Sequence, residues 1–313
     1  MRPLLLVTQS CTLLLALLLG LAGPSLAQER GTTERTIESS GKEREFLLHV
    51  PRSYKKDVRK GPVPLVVMLH GRTGSGKIAA SGYYGWKELS EKEGFVVAFP
   101  SALGRPTSWE GAWRGKPTED SIFLAEMIDL VLEELEIDED RVFMTGHSSG
   151  GFMSFSFATT HASKVAAIAP VAGLVVNRSK PALPVSVLSI HGMDDDVVPY
   201  GKGRWGTPSA PESAELFAQH NGCGPVERTE LKKGRVLCDR WTDGRAETEV
   251  VFYSIEGGDH GWPQGGSRSV AATKLIWEFF EAHPRKAEEP EEEKSDKGGK
   301  REKGQTNEDD DRP

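Results

Sequence analysis

Residues 141–153 read Arg141-Val142-Phe143-Met144-Thr145-Gly146-His147-Ser148-Ser149-Gly150-Gly151-Phe152-Met153. Arg141 to Thr145 is a β-type run and the stretch from Gly151 to Thr160 looks helical; Gly146-His147-Ser148-Ser149-Gly150 between them has the G-x-S-x-G form of a nucleophile elbow. A strand that passes into a helix through so sharp a turn holds its serine in a strained backbone conformation, and the two glycines let strand and helix approach without Cβ clashes. Ser148 is therefore the candidate nucleophile. A neutral hydroxyl attacks poorly, so a base must stand within hydrogen-bond reach of it.

Working outward from the elbow, strand-like and helical segments alternate. Pro64-Leu65-Val66-Val67-Met68-Leu69 is a continuous apolar run, as expected of a parallel strand covered on both faces. A helix near Trp86 to Glu93 and a strand from Phe95 to Phe99 follow. A longer helix runs from Asp120 to about Leu135, with Ile122, Phe123, Met127, Leu130 and Val131 at helical spacing. Val165 to Ala172 and Val185 to Ile190 supply two more buried strands. Ser209-Ala210-Pro211-Glu212 has the form of a capping box, so a helix should start there and end near Asn221-Gly222. Glu249 to Ser254 alternates like a last strand, and Val270 to Phe280 closes the chain as an amphipathic helix. Before all of these, Thr36 to Pro51 reads as a β-hairpin about Ser40-Gly41. The pattern predicts an α/β fold, its central sheet mostly parallel with helices on both faces.

The base should follow the last strand, where Gly257-Gly258-Asp259-His260-Gly261-Trp262-Pro263 offers His260 in a glycine-rich loop. His70 and His191 end strands as His-Gly pairs, His147 is inside the elbow, and His161, His220 and His283 lie on or after helices. The acid should come between serine and histidine, after the strand that leads to His191-Gly192-Met193-Asp194-Asp195-Asp196-Val197-Val198-Pro199-Tyr200. One of the three aspartates should orient His260, and position alone does not choose among them. The segment is too short in oxygen ligands for a calcium loop, and no metal is expected.

A tetrahedral intermediate needs two backbone donors. Ser149 N–H, directly after the nucleophile, is one; the other should follow His70-Gly71, at Arg72 or at Thr73. Gly71 to Lys77 is superficially like a phosphate loop, but Ile78 follows the lysine where serine or threonine is required. Trp109, Trp113 and Trp262 fall in loops expected on the catalytic face, where flat apolar rings could hold a substrate, and Trp262, two residues from the base, is the first choice among them.

Bulk properties narrow the setting. Residues 1–27 have the form of an export signal, with Arg2 at its start, an apolar stretch from Leu13 to Ala22, and Ser25-Leu26-Ala27 as a cleavage site. The expected setting is secreted or periplasmic, with no stable membrane insertion. One catalytic domain over 28–284 is expected, followed by a disordered charged tail over 285–313 that is rich in Glu, Asp, Lys and Gly and has almost nothing apolar. The net charge of −7 and the lack of a basic cluster argue against nucleic acid as a partner. Removal of Cys11 with the signal would leave Cys223 and Cys238, an even pair that in an exported chain is expected as one disulfide.

These motifs together resemble the secreted polyhydroxybutyrate depolymerase and feruloyl esterase-like family of α/β hydrolases, from about Arg35 to Phe280. The resemblance rests on Pro64 to Gly71, Asp138-Glu139-Asp140-Arg141-Val142, the elbow with Gly151-Phe152-Met153, His191-Gly192 through Val198-Pro199-Tyr200, Asn221-Gly222-Cys223, and Gly257-Gly258-Asp259-His260 with Trp262-Pro263. It implies the α/β-hydrolase fold, Asp195 as the acid, and a pairing of Cys223 with a later cysteine, Cys238. Arg72-Thr73 departs from the small or cysteine residue that often follows His-Gly in that family, and the acidic tail has no counterpart there.

The expected activity is hydrolysis of carboxylic esters through an acyl-enzyme, by Ser148, His260 and Asp195, with Ser149 and Arg72 at the oxyanion and no cofactor. Plant polysaccharide esters or hydroxyalkanoate oligomers would fit such a site, and a monomer would suffice. Two alternatives use the same features: a peptidase of the prolyl-oligopeptidase type, whose usual extra propeller this chain has no room for, and a surface-binding module without activity.

Overall fold

The structure, a computed structural model, describes residues 30–111, 115–203 and 206–287. The export-signal reading, Cys11, Trp113 and the tail beyond residue 287 lie outside the described residues.

Ten strands form one sheet in the order β1-β2-β4-β3-β5-β6-β7-β10-β9-β8. β1 (Gly31–Ser39) and β2 (Lys42–Val50) make the expected antiparallel hairpin. Its turn, Ser40-Gly41, has φ of 51° and 71°, the doubly left-handed geometry whose twist suits two-residue hairpins. The middle of the sheet is parallel: β4 (Val96–Pro100), β3 (Val63–Leu69), β5 (Ile137–His147), β6 (Ala167–Val171), β7 (Ser186–Gly192) and β10 (Val250–Ile255). β5 begins four residues earlier and ends two residues later than the apolar run suggests, because Ile137 pairs with Val63 and His147 with Val171. Beyond β10 lies an antiparallel hairpin that the sequence reading missed, β8 (Glu227–Leu231) with β9 (Val236–Trp241). β8 is an edge strand with little to bury, so its alternation of Glu, Arg and Thr carries no apolar signal.

Helices cover both faces. α1 (Tyr54–Asp57), α4 (Glu119–Glu134), α5 (Ser149–Thr160) and α6 (Ala210–Asn221) pack over one face, where Leu65, Val67 and Leu69 of β3 meet Phe123, Phe155 and Phe217. α2 (Gly76–Ala79), α3 (Trp86–Glu93) and α7 (Ala272–Ala282) cover the other, where Val66 and Met68 meet Trp86, Trp277 and Phe280. Alternate residues of one strand thus feed two cores, which is why β3 is apolar at every position. α6 starts with the capping box read from the sequence: Ser209 Oγ accepts from Glu212 N–H, and the Glu212 carboxylate accepts from Ser209 N–H.

The expected disulfide is absent. Cys223 and Cys238 are free thiols, and the sheet stands between them: Cys238, on β9, packs into the α7 face, whereas Cys223, after α6, packs against the α6 face. Burial pushes both thiols up, Cys223 to about 11, so neither is a reactive thiolate at neutral pH.

Candidate active site

The chemistry-bearing residues gather at the C-terminal ends of the parallel strands, where an α/β sheet opens its crevice. β5 delivers Ser148, β3 leads into Gly71-Arg72, β7 leads into Asp195, and β10 leads into His260. Ser148 has φ 56° and ψ −117°, a conformation that L-residues avoid, and its N–H is anchored to the Val171 carbonyl at 2.9 Å. The elbow glycines are obligatory: a Cβ at Gly146 would lie 2.5 Å from the Gly150 carbonyl, and one at Gly150 would lie 2.5 Å from the Leu69 carbonyl.

Ser148 Oγ stands 2.8 Å from His260 Nε2, and His260 Nδ1 stands 2.8 Å from Asp195 Oδ2. Nδ1–H donates to the carboxylate, which leaves Nε2 free to accept the serine proton. Asp195 is buried, and its other oxygen accepts the Val197 and Val198 N–H groups at 3.0 and 2.8 Å. A second imidazole stands on the same carboxylate: His191 Nε2 lies 3.3 Å from Oδ2 while also donating to the Val198 carbonyl at 2.8 Å. Burial alone would push the Asp195 carboxyl up; the hydrogen bonds from His191, His260 and Val198 outweigh it and hold the carboxyl well below its usual range. Asp195 is thus charged and oriented at any pH at which a histidine works as a base.

The loop after β3 is rigid for a chain of identifiable reasons. Ala102 N–H donates to His70 Nε2 at 3.0 Å, so His70 Nδ1 carries its proton and donates to the Gly71 carbonyl at 2.7 Å. Thr73 N–H is engaged by the Thr107 carbonyl at 2.8 Å, which removes it as an oxyanion donor. Arg72 N–H has no acceptor among the described residues. Gly71 sits so close to the elbow that a Cβ there would touch Ser148 Cβ at 3.5 Å. Ser149 supplies an N–H at the first turn of α5, where amides lack intrahelical acceptors. Its hydroxyl separately accepts Trp109 N–H at 2.9 Å and bonds Ser108 Oγ at 3.0 Å, tying the 102–111 loop to the elbow.

Beside Ser148 opens a cavity of about 480 Å³. Trp109, Phe152, Val176, Val197 and Val198 form its apolar wall; Arg72, Ser108 and Ser149 border the nucleophile. Trp109 stands in that wall, its Nε1 donating to the His70 carbonyl at 2.9 Å. Trp262 does not. It is 2% exposed, its Nε1 donates to Thr273 Oγ1 at 3.0 Å, and its ring meets Tyr84 edge-on in the core on the α7 face, so the expectation that it contacts substrate is corrected. Phe152, Val176 and Val197 were missed by the sequence reading; only Phe152 had a local signal, one helical turn beyond Ser148. Among the described residues no group of His, Cys, Asp or Glu side chains could hold a metal ion, and no helix is long and apolar enough to cross a membrane.

The sheet order, the elbow and the Ser–His–Asp relay define a serine hydrolase of the α/β-hydrolase fold. Comparison with known proteins agrees: the alpha/beta hydrolase fold family matches residues 64–190. The chain is similar to a probable feruloyl esterase C of Aspergillus niger, 29% identical over 245 residues, covering 76% of this chain and 84% of that one. It is likewise 29% identical over 279 residues to feruloyl esterase D of Neurospora crassa, covering 83% and 90%. Among solved structures, an acetyl xylan esterase from Aspergillus awamori superposes with a TM-score of 0.62 at 18% identity, covering 80% of this chain and 99% of that one. The chain is a carboxylic ester hydrolase of the serine type.

Proposed function

We propose that Ser148, His260 and Asp195 hydrolyse hydroxycinnamoyl or acetyl esters of plant polysaccharide through an acyl-enzyme. The observation that carries this reading is the relay of two 2.8 Å hydrogen bonds ending beside an apolar cavity large enough for an aromatic acyl group. His260 Nε2 takes the Ser148 proton as Oγ bonds to the carbonyl carbon. The N–H groups of Arg72 and Ser149 hold the resulting oxyanion. Collapse breaks the ester C–O bond, and His260 gives the proton to the departing alcohol. Water then repeats the sequence on the acyl-enzyme and releases the acid. None of these steps needs a cofactor.

The names of the relatives favour feruloyl and acetyl groups over hydroxyalkanoates as the acyl part. Side-by-side release assays on feruloylated xylan, acetylxylan and hydroxybutyrate oligomers, with wild type and Ser148→Ala, test the reading. Release from one of the xylans that Ser148→Ala abolishes is expected; turnover that survives the substitution, or turnover of hydroxybutyrate oligomers alone, would overturn it. Action on such polymers belongs outside the cytoplasm, in line with the export-signal form of residues 1–27. N-terminal sequencing of the protein recovered from the medium or periplasm should begin at Gln28.

A further inference from the structure

The hydrogen bonds of the relay fix the His260 side chain, but they leave open what fixes its backbone. Backbone bonds hold the loop that carries it at its two ends, Asp194 N–H to the Gly258 carbonyl and Ala272 N–H to the Pro263 carbonyl, both at 2.9 Å, and Gly257 in it takes φ 68°. The His260 backbone itself is tied to the elbow by the residue before the nucleophile. His147 Nε2 lies 3.1 Å from the His260 carbonyl oxygen. A carbonyl only accepts, so Nε2 carries the proton and Nδ1 is the bare nitrogen. Tyr84 Oη stands 3.4 Å from that Nδ1, a long contact that its O–H can donate along. The direction of the whole chain is then settled: Tyr84 O–H to His147 Nδ1, and His147 Nε2–H to the His260 carbonyl.

We infer that His147 is a positioning residue for the reaction: its Nε2–H pins the His260 backbone to the nucleophile elbow and so sets where the base stands relative to Ser148. This rests on the reading of Ser148 and His260 given under Proposed function. The geometry gives the tether its leverage, since residues 147 and 148 are covalent neighbours and one holds the backbone of 260 while the other meets its ring. The two imidazoles lie with centroids 5.1 Å apart, and Trp262 meets the His147 ring perpendicularly at 6.4 Å. Trp262 N–H in turn donates to Tyr83 Oη at 3.3 Å, and Gln264 Nε2 to the Tyr83 carbonyl at 3.0 Å, so the Tyr83-Tyr84 pair holds the loop at two further points. Burial first, and then the neighbouring His260, lower the His147 pKa to about 4, while burial raises Tyr84 to about 12. His147 therefore stays a neutral donor, and Tyr84 a hydroxyl, through the range in which an imidazole can serve as base. His147 does not line the substrate cavity, so its effect falls on turnover and not on binding.

The test compares His147→Leu, His147→Gln and Tyr84→Phe on p-nitrophenyl acetate, together with the rate at which a fluorophosphonate labels Ser148. Gln offers an amide N–H at about the reach of Nε2; Leu fills the space without a donor. The expected result is a kcat about 10- to 100-fold lower in His147→Leu, as for a misplaced catalytic group, with KM within about twofold, labelling slowed in proportion, and most of the loss recovered in His147→Gln. Tyr84→Phe should lose severalfold in kcat. Wild-type labelling by His147→Leu, or a Gln variant as impaired as the Leu variant, would overturn the proposal. If neither His147 variant folds, Tyr84→Phe decides alone, and wild-type kinetics there refute it. Failure of the wild-type protein to be labelled at all would instead refute the assignment of Ser148.

Discussion

Asp195 Oδ2 lies 2.8 Å from His260 Nδ1, while the other oxygen of the same carboxylate takes two backbone N–H groups from Val197 and Val198. The backbone bonds fix the carboxylate plane before the histidine arrives, so the acid is placed by its own loop. Asp195→Asn keeps an oxygen for those N–H groups but offers His260 an amide of the wrong polarity and no charge. We expect kcat to fall by on the order of 10³ to 10⁴ with the fold retained. Steady-state kinetics beside circular dichroism check it; a loss under tenfold would remove Asp195 from the relay.

Stability should fall with acidification in two stages. Burial lowers the pKa of His49, His70, His147, His161 and His220 in the folded chain, His147 to about 4. In the unfolded chain these groups take up protons below about 6.5. Their neutral folded forms therefore leave stability intact above about 6.5 and erode it as pH falls toward the folded values, His147 alone by on the order of 3 kcal/mol at most. Asp195, whose folded pKa is depressed, acts lower: its contribution is present above the unfolded carboxylate value near 4 and is lost beneath it. Thermal denaturation from pH 8 to pH 3 should show Tm nearly level above 7 and dropping below 6.5. A His147→Gln variant should have a shallower upper stage, and an unchanged slope would contradict the assignment.

The two described tryptophans of the catalytic loops should separate cleanly. Trp109 forms cavity wall, so Trp109→Leu should raise KM for a feruloyl ester more than for an acetyl ester. It should also cost stability, on the order of 2 to 4 kcal/mol, through the lost bond to the His70 carbonyl and the void left behind. Trp262 is buried in the core on the α7 face, so Trp262→Leu should cost comparable stability while leaving the feruloyl-to-acetyl preference unchanged. Paired kinetics and urea denaturation read both quantities; a preference shifted equally by the two changes would refute the distinction.

Cys223 and Cys238 should both alkylate when the protein is unfolded without reductant, and reductant should leave Tm unchanged, as free thiols on opposite faces of the sheet require. Mass spectrometry that found both unlabelled until reduction would reverse this.

Much of the site is legible in the sequence because the elbow is a local device: Gly146 and Gly150 are demanded by carbonyls only a few ångströms away, and the strand and helix around Ser148 announce themselves by composition. His260 follows from a single topological fact, that a loop after the last parallel strand must reach the serine. Asp195 was different. Three adjacent aspartates look alike by position, and only the family resemblance chooses Asp195; in the structure, what distinguishes it is that the turn after β7 brings the Val197 and Val198 amides onto its carboxylate. The direction in which a loop side chain points has no periodicity to betray it, so nearness to the base in sequence favours Trp262, whereas packing places Trp262 in the core beneath α7 and Trp109 in the cavity. The cysteines failed for the same reason: an even count says nothing about which face of a sheet each thiol enters. The role of His147 is the least legible, since it depends on a hydrogen bond across 113 positions of chain.

Ser148 must carry the acyl group between two half-reactions. Mixing the wild-type protein with p-nitrophenyl acetate, quenching in acid within milliseconds and mapping the peptides should find the acetyl group on Ser148, and none on the same peptide of Ser148→Ala. An acetyl group on another residue, or product formation with no acylated peptide at any time, would contradict it.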